Sequence, residues 1–155
     1  NASQALADSS KKMGVLGHGY TYSGHPVGCA VALETLKIYE EIGMVDHVRS
    51  VMGRFQERLA AYRSRPHVGE VRMEGLVGCL ELVADKETKR SFDPAQGAGK
   101  IVERTTLEEG LIIRAMGDYI AFCPPLIISE AQIDEMADKM DRAMDAAEAE
   151  LAALV

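Results

Sequence analysis

The segment GHGYTYSGHPVG at residues 17–28 concentrates groups that could bind an anion. Pro26 introduces a long apolar run there, and proline suits the first turn of a helix. A helix N-terminus offers unpaired N–H groups and the positive end of the helix dipole, and glycines allow a ligand to approach the backbone. The hydroxyl groups of Thr21 and Ser23 add donors. The segment therefore indicates a phosphate-binding loop, although an ordinary turn and helix cap would use the same residue types.

Arg114 is the second residue whose type and setting could do chemistry. It interrupts the otherwise apolar pair of segments LIIRAMGDYIAFCPPL at residues 111–126. The planar guanidinium can hold a carboxylate through two parallel hydrogen bonds. An edge-strand arginine whose stem packs while its head reaches solvent explains the same pattern. Both interpretations remain open at this point.

The other candidates favour structural roles. GAGK at residues 97–100 lacks the spacing of a Walker phosphate-binding loop, so we interpret it as a helix start. His25 is interpreted as a helix-entry residue. The cysteines Cys29, Cys79 and Cys123 lie in apolar sequence, which predicts buried free thiols and neither a disulfide framework nor a metal site.

The composition limits the class of protein that carries these residues. A chain of 155 residues fits one domain with a hydrophobic core. The net charge of −7 argues against a nucleic-acid or anionic-membrane surface, since either would need a basic patch. Because free thiols suit a reducing compartment, we expect a cytoplasmic location.

Helical and strand-like segments alternate along the chain and must position the candidates. The small polar residues 1–12 predict a loose lead-in. The helix predicted from residue 26 is apolar on every side at its start, so it should be buried. Further helices are predicted over 44–62, 96–109 and after 129, and strands over 68–73, 76–83, 111–115 and 119–123. The pattern predicts one α+β domain, a small sheet packed with helices.

Two local signals define how these segments begin and turn. Ser129 followed by Gln132 is a capping-box pattern for the last helix. Met116-Gly117-Asp118, between two strand-like segments, predicts a hairpin turn.

Three segments together resemble class III aminotransferases, the ω-amino-acid and amine:pyruvate group (ω-transaminases) of fold-type I pyridoxal-phosphate enzymes. GHGYTYSGHPVGCAVAL is similar to the family segment HG[YF]TYSGHP, and the similarity continues through LETLKIYEE. VRMEGLVGCLEL, at 71–82, is similar to VRGxGLMxGxEL. GLIIRAMGDYIAFCPPLIISEAQIDEM, at 110–136, resembles the region where the family has an arginine, a Gly-Asp turn and a PPL segment. The resemblance runs in the same order from about His18 to the end of the last helix.

The resemblance implies a fold and site roles. Residues 1–26 would be an interface and phosphate-contact loop at the end of the large domain, and residues 27–155 the C-terminal small domain. Thr21 matches the threonine that binds the phosphate of the pyridoxal 5'-phosphate seated in the other subunit of a homodimer, and Tyr20 matches a position that adds a backbone contact. Arg114 matches the arginine that pairs with the substrate carboxylate and swings aside for an uncharged amine.

The resemblance also indicates what this chain lacks. The family's Schiff-base lysine lies a few dozen residues upstream of the TYSGHP motif, in a large domain that this chain does not contain. Lys11 and Lys12 lie too close to Thr21 and in polar sequence, so we interpret them as solvated. Where the family has Gly-x after the strand arginine, this chain has Met73-Glu74 after Arg72, which leaves the local turn and any role of Arg72 open.

Two functional hypotheses follow. In the first, the chain is part of a transaminase that moves an amino group between an amine or ω-amino acid and a keto acid such as pyruvate, and the chain by itself is inactive. Its partners would be the large domain and a second subunit, with no nucleic acid and no membrane. In the second, the chain is a stand-alone, non-catalytic α+β module that binds a phosphate or a partner.

Overall fold

The computed structural model describes residues 2–14 and 19–155 of the chain. Its internal contacts divide the chain into two compact units, Asn1–Glu41 and Ile42–Val155. The family resemblance implies a domain boundary between residues 26 and 27, whereas the helix predicted from residue 26 falls into the first unit.

The first unit contains helices α1 (Ala2–Met13) and α2 (Pro26–Glu41). The prediction of a loose lead-in over residues 1–12 is wrong for residues 2–12, which lie in α1. Local contacts support this helix: the Gln4 amide donates to Asp8 at 3.1 Å, and Lys11 pairs with the same carboxylate at 3.6 Å. Side chains three and four residues apart meet on a helix surface, and these two contacts offset the modest helix propensity of the small polar residues.

Helix α2 begins at Pro26, as predicted, but the predicted burial of its first turns is not observed. None of its residues is buried, and Val27, Val31 and Leu33 are 64%, 61% and 62% exposed. In the described part of the first unit α1 is the only other helix, and one short polar helix cannot cover a helix whose first turns are apolar on all sides.

The second unit begins with α3 (Met44–Ala60), which continues into a 3₁₀ turn at Ala61–Ser64. Gly43, with φ of 60°, separates α2 from α3. The helix predicted over residues 44–62 is confirmed, and its side chains that face the core recur every three to four residues, so that they form one apolar stripe. The buried members of this stripe are Met44, Val51, Phe55, Leu59 and Tyr62.

The sheet has the four strands that the sequence predicts. They are β1 (Val68–Glu74), β2 (Val77–Leu82), β3 (Arg114–Met116) and β4 (Tyr119–Phe122), all antiparallel in the order β1-β2-β4-β3. The predicted hairpin is confirmed, since Met116 pairs with Tyr119 across a two-residue loop whose Gly117 has φ of 62°. Strand β3 is shorter than predicted and pairs with β4 alone, so it forms one edge of the sheet.

Helices α4 (Ala98–Glu108) and α5 (Glu130–Ala152) complete the core together with α3. Helix α5 packs against α3 and α4, and α4 also contacts β3 and β4. The predicted capping box is confirmed: the Gln132 N–H donates to Ser129 Oγ at 3.3 Å, and the Ser129 N–H donates to Gln132 Oε1 at 3.0 Å. The unit therefore has the predicted α+β architecture.

Charged side chains join α3 to α5 at the surface of this unit. Arg58 lies 3.0 Å from Asp134, 2.5 Å from Asp138 and 3.3 Å from Asp141. Arg54 also pairs with Asp134, at 2.8 Å. Because the acidic groups follow each other along one face of α5, the arginines hold the two helices together over several turns.

Candidate functional site

The Tyr20–Gly24 segment is a tight turn that its own hydrogen bonds define. The Ser23 N–H donates to the Tyr20 carbonyl at 2.9 Å, and the Tyr20 N–H donates to Ser23 Oγ, also at 2.9 Å. The His25 N–H donates to the Tyr22 carbonyl at 3.2 Å, which leads the chain into α2. These bonds place Thr21 at the tip of the turn. Gly17 and His18, which open the motif, lie outside the described residues.

Thr21 is exposed and offers two donors at this tip. Neither its N–H nor its hydroxyl is hydrogen-bonded within the part of the chain that the structure describes. The Tyr20 N–H, in contrast, already donates to the Ser23 hydroxyl. An anion at the turn would therefore meet Thr21 first, and a bond from the Tyr20 N–H would require Ser23 to release it.

The start of α2 adds further donors close to Thr21 in sequence. Cys29 is the first residue of the helix whose N–H has a partner, the His25 carbonyl at 2.9 Å. The N–H groups of Val27 and Gly28 make no hydrogen bond within the described ranges, and Pro26 has none to offer. The stretch from Thr21 to Gly28 contains no lysine or arginine. Anion binding here would rest on N–H groups, hydroxyls and the helix dipole.

Arg114 lies in the second unit, on the edge strand β3, and is exposed. Its guanidinium makes no ion pair or hydrogen bond to any other residue in ranges 2–14 and 19–155. Its strand partner on β4 is the small residue Ala121. Arg114 lies on the sheet face opposite the fully buried Ile120, which pairs with its neighbour Ala115. A free guanidinium in this position is available to a carboxylate.

Arg72 lies on the same sheet face but is already engaged. The register row runs from Arg72 on β1 through Cys79 and Ala121 to Arg114. The Arg72 guanidinium lies 3.6 Å from Glu81 and 3.7 Å from Glu70, and 5.5 Å from the centre of the Tyr119 ring. The turn after it forms at Gly75, with φ of 55°, despite the departure at Met73-Glu74. Arg72 therefore acts within the sheet, and Arg114 is the arginine left free on this face.

The sequence analysis did not predict one contact between β3 and α4. The Ala115 N–H donates to Glu103 Oε1 on α4 at 3.3 Å, directly beside Arg114 in the chain. The only signal in the sequence is a carboxylate next to the buried face of a helix. That signal is too common to identify a partner 12 residues away.

The cysteines are free, as predicted, but their predicted burial is wrong for two of them. Cys29 and Cys123 are exposed and Cys79 is half-buried. Cys29 shares the exposure of nearly all of α2, and Cys123 follows the end of β4. Among the described residues no group of three or more His, Cys, Asp or Glu side chains could hold a metal ion. No helix in the described ranges is both long and apolar enough to cross a bilayer.

Comparison with protein families matches residues 2–144 to the class-III aminotransferases. The match includes both candidate segments, the Thr21 turn and the Arg114 hairpin. It covers most of the chain, well beyond the short motifs.

Individual relatives agree. A probable gamma-aminobutyrate transaminase 3 of Oryza sativa subsp. indica is 40% identical over 149 residues, which are 96% of this chain and 29% of the relative. The omega transaminase of Pseudomonas jessenii in complex with PMP superimposes with a TM-score of 0.85 at 40% identity, covering 96% of this chain and 33% of that one. A PLP-bound aminotransferase mutant from Vibrio fluvialis gives a TM-score of 0.87 at 39% identity, with the same coverage.

The chain thus spans about a third of the length of the proteins that it matches. The alternative of a stand-alone, non-catalytic module finds no support in these similarities.

Proposed function

The chain belongs to the class-III aminotransferase family, and we propose that it is part of a pyridoxal-phosphate-dependent transaminase. The whole enzyme would move an amino group from an amine or ω-amino acid to a keto acid such as pyruvate. The names of the similar proteins support this class of reaction, since they include a gamma-aminobutyrate transaminase and an omega transaminase. The rest of the enzyme would be a large domain and a second, identical subunit.

The observation that carries this proposal is the pair of unused donors on Thr21. A phosphate accepts several hydrogen bonds, and the exposed turn presents a hydroxyl and an N–H beside a helix N-terminus. These groups fit the phosphate of pyridoxal phosphate, which we place in the site of the partner subunit. When bound, this cofactor supplies an electron sink for bond breaking at the amine carbon. The part of Thr21 is to hold and orient its phosphate.

Arg114 is the residue we propose for the substrate carboxylate. Its guanidinium has no partner in the described chain, so pairing with a carboxylate would break no existing ion pair. An uncharged amine has no carboxylate to pair with the guanidinium, which must then leave the position where the carboxylate would bind. The guanidinium of an arginine on an edge strand can move into solvent without disturbing the core. One side chain thereby serves both substrate types in turn.

We propose no catalytic residue within this chain. Lys11 lies in α1, and its side chain is 75% exposed and pairs with Asp8. A lysine that reacts as a neutral amine needs a desolvated setting that lowers its pKa. The isolated chain, mixed with pyridoxal phosphate, an amine and pyruvate, should therefore form no alanine. Formation of alanine would contradict this part of the proposal.

The test of the cofactor role uses the full-length enzyme and its affinity for pyridoxal phosphate. Thr21→Ala should weaken binding about 10- to 100-fold, because a hydrogen bond to a charged group contributes about 1.5–3 kcal/mol. Thr21→Ser retains the hydroxyl and should stay close to the parent protein. The matched control is Thr35→Ala, since the Thr35 hydroxyl only bonds the Val31 carbonyl within α2. Titration of the cofactor-free proteins measures the effect, and unchanged affinity in Thr21→Ala would refute the assignment.

A further inference from the structure

We propose that Glu103 and Gly99, both on α4, are positioning residues for Arg114. They hold the β3–β4 hairpin against the helix and so fix the strand position from which the Arg114 side chain extends. This inference rests on the proposed carboxylate-binding role of Arg114. It concerns residues that never touch the substrate.

The first contact is the close approach of α4 to the hairpin turn. A Cβ atom placed on Gly99 would lie 1.9 Å from the Gly117 carbonyl oxygen and 3.3 Å from the Ala115 side chain. No side chain fits in that gap, so the helix backbone itself lies against the turn. Gly99 is buried, which shows that the two surfaces meet closely there. The glycine therefore sets how near the hairpin lies to α4.

The second contact is the carboxylate of Glu103, one helical turn further along α4. Its Oε1 accepts the Ala115 N–H at 3.3 Å, and the side chain is half-buried. Ala115 follows Arg114 directly, and β3 has no neighbour on its outer side. The outer N–H of an edge strand is normally left to solvent. Glu103 takes up this donor and thereby anchors the strand at the residue next to the arginine.

The space beside the Glu103 contact is open. A crevice of about 190 Å³ lies between α4 and the hairpin, and its lining includes Lys100, Glu103, Gly117 and Asp118. Packing alone does not fill this side of the hairpin, so the Gly99 and Glu103 contacts define the distance and the tilt of β3. On the other side, the Leu82 N–H donates to the Asp118 carbonyl at 2.8 Å and ties the turn to β2.

An arginine that binds a carboxylate through two parallel hydrogen bonds depends on the accurate position of its guanidinium. A shift of about 1 Å in a binding group can reduce the rate about 100-fold for the substrate that depends on it. It leaves substrates that do not use the group unaffected. Loss of the Glu103 contact should therefore act on carboxylate-bearing donors only, whereas a general structural defect would act on all donors.

The experiment measures kcat/KM in the donor half-reaction of the full-length enzyme, with an ω-amino acid and with an uncharged amine of equal length. In Glu103→Ala we expect kcat/KM to fall about tenfold for the amino acid and to stay within about twofold for the amine. Glu103→Gln keeps an oxygen that accepts the Ala115 N–H and should restore the parent ratio. Glu108→Ala is the matched control on the same helix, since Glu108 is exposed and pairs with Arg104 of the same helix at 2.9 Å.

An equal loss for both donors, or no loss for either, would overturn the inference. Should Glu103→Ala not fold, Glu103→Met keeps the length of the stem without an acceptor, and the same ratio decides. Arg114→Ala, measured in parallel, separates the positioning role of Glu103 from the carboxylate-binding role of Arg114. A selective loss in Arg114→Ala but not in the Glu103 variants refutes only the positioning role. No selective loss in Arg114→Ala refutes the carboxylate role itself, and the positioning role with it.

Discussion

Helices α2 and α3 are close in length, and α2 is the more apolar of the two, yet they have opposite surroundings. Phe55 and Leu59 on α3 are completely buried, whereas Val31 and Leu33 on α2 are 61% and 62% exposed. The difference shows that apolar sequence predicts a helix but not what covers it. Burial depends on other elements, and the unit Ile42–Val155 contains them for α3. An exposed apolar surface of this kind is typical of a protein–protein or domain interface.

The polar residues differ in a similar way, since some have partners within the fold and others do not. Arg58 and Ser129, in the second unit, use their donors and acceptors within the fold. Thr21 and Arg114 have no hydrogen bond or ion pair to the described chain. A group that the fold leaves unsatisfied is available to a ligand, which is why these two residues carry the functional proposals. The following substitutions test the contrast on the isolated chain.

Core leucines should show the largest effect. Leu59→Ala should lower the free energy of unfolding by about 2–5 kcal/mol, because it leaves a cavity at a fully buried site. Leu33→Ala, the same substitution on α2, should change it by less than about 0.5 kcal/mol, since that side chain is already in solvent. Urea denaturation of both variants measures the difference. Similar losses in the two variants would mean that α2 is covered in solution.

The second-largest loss of stability is expected when a side chain that forms ion pairs between helices is removed. Arg58→Ala should cost about 1–2 kcal/mol of unfolding free energy, because Arg58 joins α3 to three acidic groups on α5 and is only 21% exposed. The loss should shrink at high salt, which screens the pairs. Lys37→Ala removes a local pair with Glu34 on α2 and should be nearly silent. A salt-independent loss in Arg58→Ala would indicate that only packing of its stem matters.

Two serines whose hydroxyls each accept one backbone N–H allow a closer comparison. Ser129→Ala should destabilise the protein by about 1 kcal/mol, because it removes the cap of the long helix α5. Ser23→Ala removes the acceptor of the Tyr20 N–H in an exposed turn and should change global stability by less than about 0.5 kcal/mol. Thermal unfolding followed by circular dichroism distinguishes them. Equal losses would place the Tyr20–Gly24 turn within the cooperative unit.

The smallest effect concerns pH and the hairpin turn. Burial raises the pKa of the Asp118 carboxyl above its ordinary value, although a hydrogen bond from the Phe92 backbone lowers it in part. The folded state thus binds this proton more tightly than the unfolded state does. The contribution to stability is complete below the ordinary pKa of about 3.9 and is lost as the pH rises through the higher folded value.

Asp118→Asn should accordingly be more stable than the parent chain at pH 7, with a gain that disappears below about pH 4. Urea denaturation at several pH values measures this trend. A gain that is constant over that range would show that ionisation of Asp118 has no part in it.

Much of the local structure could be predicted from the sequence because its causes act over a few residues. The apolar period of α3, the Ser129 capping box and the Gly117 hairpin depend on neighbours three or four positions away. The helix over the first dozen residues was missed, since its support comes from Asp8 contacts that weigh little in a polar segment. Thr21 and Arg114 could be chosen as candidates by residue type and by the resemblance to the family.

Only the tertiary structure decided which groups are left free. Arg72 contacts Glu81 and Tyr119, whereas Arg114 on the same sheet face has no such partner among the described residues. This difference depends on the strand order β1-β2-β4-β3. The contact of Glu103 with Ala115 depends on how α4 lies against the edge of the sheet. Residue type and short-range spacing determine what a side chain can bind. Packing between distant segments determines whether it is already bound, and a linear pattern does not contain that information.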